Sequence, residues 1–272
     1  MTLKDLVVFV DDQPSCAERV RVAAALARRF DAHLTGVHVA GYGPTPLALD
    51  GVAVDQMIMA QEEVIRGAAE KAEAGFREAM RREALRHDWR AVRGPVAAVA
   101  AIEAHCADLA IVGQASSDSD NWLLPEDVVL RAGRAALIVP YAGSFARVPA
   151  NPLIAWKPTR EAARAVGDAL PLLAAAKRAT VLVVDADTDE DGEAPGDDVA
   201  VHLSRHGIDV TVERTLSGEV PVADIFLSRA ADLGADLLVM GCYGHSRMRE
   251  LVLGGMSRDI LDRMTLPVLM SH

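Results

Sequence analysis

Residues 107–113 read ADLAIVG, and 128 positions later residues 235–241 read ADLLVMG. Each is an acid followed by an unbroken apolar run that glycine closes, the pattern of a strand buried on both faces of a parallel sheet. The recurrence extends outward. AALIVP (135–140) has its counterpart in LPVLMS (266–271), about 131 residues on, while LVVFVDD (6–12) corresponds to PLIAWKP (152–158) and HLTGVHV (33–39) to TVLVVDA (180–186). One unit is therefore present twice. Between the copies, YAGSFARVPANP (141–152) carries Gly, Ser and two prolines, which is linker chemistry. The boundary is placed there, giving domains 1–145 and 146–272.

Within the first unit, periodicity predicts a strand at 6–10, a helix at 15–30, a strand at 33–39, a long helix near 56–87 and a strand near 89–93. A helix at 95–105, a strand at 108–112, a helix at 124–132 and a strand at 136–139 complete it. The second unit repeats this with a shorter second helix. Apolar strands alternating with helices predict two tandem doubly wound (Rossmann-like) α/β domains, each with a five-stranded, mainly parallel sheet. The long helix is expected to pack on the sheet, with length left over for a lid or contact surface, and MIMA (57–60), near its start, is expected in the core, the alternative being methionines presented to a partner. Ligands of such sheets sit beyond the carboxyl ends of the strands where strand order reverses. That directs attention to Asp11 and Gly113 in the first unit and to Lys157 and Gly241 in the second.

The 272 residues are 51% apolar, ample for two buried cores. The net charge of −11 is shared as −5 and −6 between the halves and argues against a nucleic-acid partner, which needs clustered Lys and Arg. No stretch approaches the roughly 18 to 20 apolar residues of a membrane span. The start, MTLKDLVVFVDD, lacks the basic region and cleavage site of a signal peptide, so a cytoplasmic protein is expected. Cys16, Cys106 and Cys242 are odd in number and widely spaced, which suggests neither disulfides nor zinc.

After the strand LLVM comes GCYGHSRMRELVLGGMSRDIL (241–261), where Gly241, Gly244 and Gly254 gather as strand turns to helix. Glycine lets backbone amides approach an anion, and the following helix presents its own unpaired N–H groups. The spacing is neither GxGxxG nor the P-loop GxxxxGK[ST]. Here the sequence resembles the universal stress protein family, whose nucleotide-binding members carry G-x2-G-x9-G-[ST] after strand four and an aspartate after strand one. The resemblance covers nearly the whole chain as two family domains. It implies ATP or another adenine nucleotide as ligand, with no metal beyond a nucleotide-bound Mg2+. It implicates Met240, Gly241, Gly244, His245, Gly254, Gly255 and Met256, with Val184 near the base. It also implies that the terminal strands of the halves pair as a pseudo-dimer within one chain, with further pairing into a homodimer. Two departures stand out: the motif's final Ser or Thr is Gly255, and the strand-one aspartate is Lys157. His245, Arg247 and Arg249 offer further anion contacts. The alternative is that these glycines only shape a turn.

The first half keeps the aspartate, Asp11, and Gly113, with Val39 at the strand-two position, but continues as QASSDSDNWLLPEDVVL (114–130). Counted along the repeat, Glu126 and Asp127 fall at Gly254 and Gly255, so carboxylates would face a phosphate and repel it. This half is expected not to bind ATP in the family manner. Asp11 is then equally well read as a turn carboxylate, with Asp12 capping the helix that begins near Ser15.

DADTDEDGEAPGDD (185–198) imitates a calcium loop at Asp187, Asp189, Asp191 and Gly192, with Asp198 twelfth, but follows a strand and lacks the bidentate Glu. It reads as an acidic loop. His202 and His206 lie four apart on a helix with no third ligand, a solvated face. Cys242 has no assigned base, and there is no GxSxG turn, so covalent catalysis has no support. The leading expectation is a stress-response module binding nucleotide in its second half. The alternatives are an interaction module without nucleotide and a very slow ATP hydrolase, although no residue is placed to position the attacking water.

Overall fold

Asp108 and Asp236, the acids that open the two repeated runs, do the same work in both halves. Asp108 Oδ2 accepts the amides of Lys4 and Asp5 at 2.6 and 3.0 Å, and the Asp236 carboxylate accepts those of Ala150 and Asn151 at 2.8 and 2.9 Å. Each carboxylate thereby fastens the entry of its half's first strand to its fourth. The computed structural model describes residues 2–41, 51–115, 123–145, 149–176, 178–185, 195–242 and 255–272, without the side chains of 51–55.

The first half runs β1 (Asp5–Phe9), α1 (Cys16–Phe30), β2 (His33–Ala40), α2 (Gly51–Glu83), β3 (His87–Arg93), α3 (Val96–Ala104), β4 (Leu109–Gly113), α4 (Pro125–Arg131) and β5 (Ala136–Val139). The second runs β6 (Pro152–Trp156), α5 (Arg160–Leu173), β7 (Ala179–Val184), α6 (Asp197–Arg205), β8 (Val210–Thr215), α7 (Val222–Asp232), β9 (Leu237–Gly241), α8 (Met256–Arg263) and β10 (Val268–Ser271). All ten strands form one sheet in the order β3-β2-β1-β4-β5-β10-β9-β6-β7-β8. Neighbours are parallel except β5 and β10, which pair antiparallel with Ile138 opposite Val268. The two halves are thus doubly wound units joined as a pseudo-dimer through their last strands.

Helices α1, α2, α5 and α6 cover one face of the sheet and α3, α4, α7 and α8 the other, each over its own apolar cluster. Phe76 and Met80 anchor α2, and the Phe76 ring fills the space over Gly36, where a Cβ would stand 2.8 Å from it. The start of α2 departs from expectation. Met57, Ile58 and Met59 are 42%, 41% and 71% exposed, because the helix contacts the sheet only through its later turns. MIMA is therefore surface, not core.

Register also refines the repeat. Gly113 pairs with Val139 and Gly241 with Ser271, so the last strands correspond at a spacing of 132 rather than 131. One residue decides which face a strand side chain takes. With this correction Ile138 and Met270 share the α3/α4/α7/α8 face, while Leu137 and Leu269 share the other.

Because Ile138 is fully buried at the junction, Ile138→Ala is expected to cost about 2–5 kcal/mol, and both halves should still unfold in one transition. Urea denaturation followed by far-UV circular dichroism checks this; two separated transitions would show that the junction does not couple the halves.

Candidate functional site

The strand registers set the two carboxyl ends side by side for comparison. Leu6 pairs with Leu109 and Leu34, whereas Pro152 pairs with Leu237, and Leu153 with Thr180. Superposing these pairings matches Asp11 with Lys157, Val39 with Val184 and Gly113 with Gly241. In both halves these positions surround the point between the first and fourth strands where strand order reverses.

In the first half the position is filled from within. Asp11 Oδ1 accepts the Gln13 amide at 3.1 Å and Oδ2 meets Arg19 Nη2 at 2.7 Å. Arg19, on α1, is only 3% exposed and lies against Gly113 so tightly that a Cβ there would stand 2.0 Å from Nη1. Its Nε is buried with no hydrogen bond among the described residues. Asp11 is thus a turn carboxylate held by a buried cation. Beside the pair, burial pushes the Cys16 thiol above its ordinary range, which opposes the thiolate a nucleophile needs. Ser15, not Asp12, stands at the N-cap of α1, and its side chain makes no capping bond.

A pocket of about 150 Å3 remains beside Phe9, Asp11, Val37, Val39 and Val96, with Leu123 across it. The expected alignment of this loop needs correction. From Gly113 to the start of α4 is twelve positions, but from Gly241 to the start of α8 is fifteen. Leu123 and Leu124 therefore fall at Gly254 and Gly255, and Glu126 and Asp127 at Ser257 and Arg258. The first half's loop is thus shorter and ends in the buried Leu123. Carboxylates follow it: Glu126 Oε2 is buried without a hydrogen bond among the described residues, and Asp127 pairs with Arg131 at 3.1 Å.

The second half is built differently. Gly241 packs on the start of α5, where a Cβ would come within 2.4 Å of the Ala162 amide nitrogen. Thr159 caps that helix by accepting the Ala162 amide at 3.3 Å. Glu161 in the first turn is held below the usual carboxylate range, first by its own backbone N–H and then by Arg160. Lys157 is exposed at the end of β6, Val184 is partly buried at the end of β7, and Met240 is buried in β9. Gly255 is the N-cap of α8 with φ −74° and ψ 144°, and Met256 is the first helical residue, partly buried. Gly244, His245, Arg247, Arg249 and Gly254 lie outside the described residues.

One neighbour had no signal in the sequence beyond an acidic run. Asp185, in the left-handed region at φ 51°, accepts the Ser217 amide at 2.7 Å and its hydroxyl at 2.5 Å. These bonds, and Lys157 nearby, hold its carboxyl below the usual range. Asp187 to Ala194 of the calcium-like run lie outside the described residues, and Asp198, its twelfth position, accepts the Val199 amide at 2.7 Å in the first turn of α6. His202 and His206 are both exposed, with ring centroids 4.8 Å apart. Among the described residues no group of three or more His, Cys, Asp or Glu is arranged to hold a metal, and no helix is long and apolar enough to cross a membrane.

The two glycines should respond unequally to a methyl group. Gly241→Ala drives Cβ into the α5 backbone and is expected to cost about 3 kcal/mol, the upper part of the range for overpacking. Gly113→Ala meets a side chain and should cost less. Urea midpoints of the two variants compare them directly, and equal losses would contradict this packing.

The model of the "Universal stress protein family" matches residues 153–272. No curated protein matches the chain significantly. Among solved structures, a universal stress protein from Archaeoglobus fulgidus DSM 4304 superposes with a TM-score of 0.71 at 16% identity, covering 98% of this chain and 96% of its own. A protein of unknown function from Pseudomonas aeruginosa PAO1 does so at 0.57, again at 16% identity, covering 99% and 92%. At these identities the superpositions carry the fold alone, across both halves. Residues 153–272 match the universal stress protein family, and the first half, joined to them in tandem, has the same fold.

Proposed function

We propose that the second half binds ATP or another adenine nucleotide at the carboxyl ends of β6, β7 and β9, and that the protein is a cytoplasmic stress-response module rather than a metabolic enzyme. The observation that carries this reading is the convergence of Lys157, Val184 and Gly241 at the switch point formed by the ends of β6, β7 and β9. The N–H groups that a helix N-terminus presents and the positive charge of Lys157 suit phosphate, and the apolar end of β7 suits a base. Lys157 supplies positive charge where the first half carries Asp11. A nucleotide would bring Mg2+ on its phosphates. With β5 and β10 already paired to each other, a homodimer would use other surfaces, the edge strands β3 and β8 or the exposed start of α2.

A second reading has its own observation. The close approach of Gly241 to α5 explains that glycine with no ligand at all, which leaves an interaction module whose loop merely turns.

Ligand at one hundred times its Kd stabilises a protein by about 2.7 kcal/mol, so millimolar ATP should raise the melting temperature if the first reading holds. Gly241 variants are unsuitable controls, since they disturb α5. Gly255→Ser is informative instead, because the N-cap φ and ψ accept serine. The added hydroxyl should tighten ATP roughly fivefold, the effect of about 1 kcal/mol from one hydrogen bond. Absence of any shift with ATP, ADP or AMP in both proteins would leave the second reading standing.

A further inference from the structure

Gln114 follows Gly113 at the carboxyl end of β4, is 7% exposed, and reaches into the other half. Its Nε2 donates to the carbonyl oxygens of Leu261 at 2.8 Å and Asp262 at 3.3 Å, in the last turn of α8. The amide is fixed from its own side: Oε1 accepts the Tyr141 amide at 3.3 Å, and the Gln114 N–H donates to Val139 O at 2.8 Å. The corresponding residue of the repeat, Cys242, instead donates its Sγ–H to Ser271 O within its own half.

Helix α8 needs such support. Eight residues make about two turns, and a helix that short has little stability of its own. Its last carbonyls lack intrahelical partners, and Met264 at the C-cap is extended, with φ −60° and ψ 138°, so no left-handed glycine closes the end. Gln114 supplies the missing donor from across the pseudo-dimer. Antiparallel pairing of β5 with β10 also places the carboxyl ends of the two halves on opposite ends of the sheet. Helix α8 therefore spans from the second half's Gly255 to the first half's Gly113–Gln114 corner, over about 12 Å at 1.5 Å per residue.

We infer that Gln114 is a positioning residue acting in trans: the degenerate first half holds α8, so that the second half's site is complete only in the tandem. The ligand part of this inference rests on the nucleotide reading above; the hold on α8 does not. A group binding at the Gly113 corner would act on the second site through the same helix.

The test uses the full chain with Gln114→Met, nearly equal in volume but without donor or acceptor, and Ile111→Val as a control that trims the first half's core away from α8. Hydrogen exchange of α8 amides should quicken about tenfold in Gln114→Met while α1 and α3 keep their protection, and ATP, titrated well below the melting temperature, should bind about tenfold more weakly. Ile111→Val should lower overall stability and change neither. Unchanged α8 exchange in Gln114→Met overturns the inference, as does faster exchange with unaltered ATP affinity. If the unmodified protein binds no adenine nucleotide, the nucleotide reading falls by itself, and α8 exchange alone decides the role of Gln114.

Discussion

The antiparallel pairing of β5 with β10 is the contact on which the molecule depends. Each strand has only four residues, all buried, and each would be a bare sheet edge if its half stood alone. Unpaired edges recruit partners indiscriminately. Here each edge satisfies the other, so two five-stranded sheets become one of ten strands, and the exposed edges move outward to β3 and β8. Those outer strands carry exposed charged residues, Asp88, Arg90 and Arg93 on β3 and Arg214 on β8, so a partner strand added there would have to match charge as well as backbone.

That junction relieves each half of the need to be self-sufficient. With the sheet secured, the carboxyl ends can diverge, and they have done so in charge and in shape. In the first half a buried arginine meets Asp11 beneath Gly113, a pair whose desolvation is tolerable only because the ion pair is close and well placed. In the second half the same space under Gly241 is taken by the start of α5, a backbone contact that needs no buried charge. The first arrangement ties the aspartate to Arg19. The second leaves Lys157 exposed at the rim.

Much of this was legible in the sequence, because a parallel sheet writes itself as unbroken apolar runs. ADLAIVG and ADLLVMG mark β4 and β9, and the repeat itself pairs Asp11, Val39 and Gly113 with Lys157, Val184 and Gly241, as the strand registers do. What failed was whatever depends on gap length or tertiary partners. Counting at constant spacing put Glu126 and Asp127 where Leu123 and Leu124 belong, since a three-residue difference between turns leaves no local trace. MIMA looked like core because hydrophobicity alone cannot say where a helix outruns its sheet. Arg19 was unremarkable within an Ala- and Arg-rich helix, and its burial follows only from the approach of Gly113. Asp185 was lost in an acidic run, and Gln114 carried no motif at all.

Glycine at the end of a fourth strand therefore has two physical meanings that the letters do not separate. At both Gly113 and Gly241 a Cβ is forbidden by something already in the fold, the Arg19 guanidinium in one case and the α5 backbone in the other. Neither glycine by itself argues for a phosphate. Gly255 differs, because its backbone lies in a region open to every residue and the N-cap it occupies favours serine, threonine or aspartate. A glycine there gives up the side-chain capping bond that serine, threonine or aspartate would make. Helix α8 is thus undersupplied at its N-terminus and held at its C-terminus by the opposite half, which makes it the element through which the two halves act on each other.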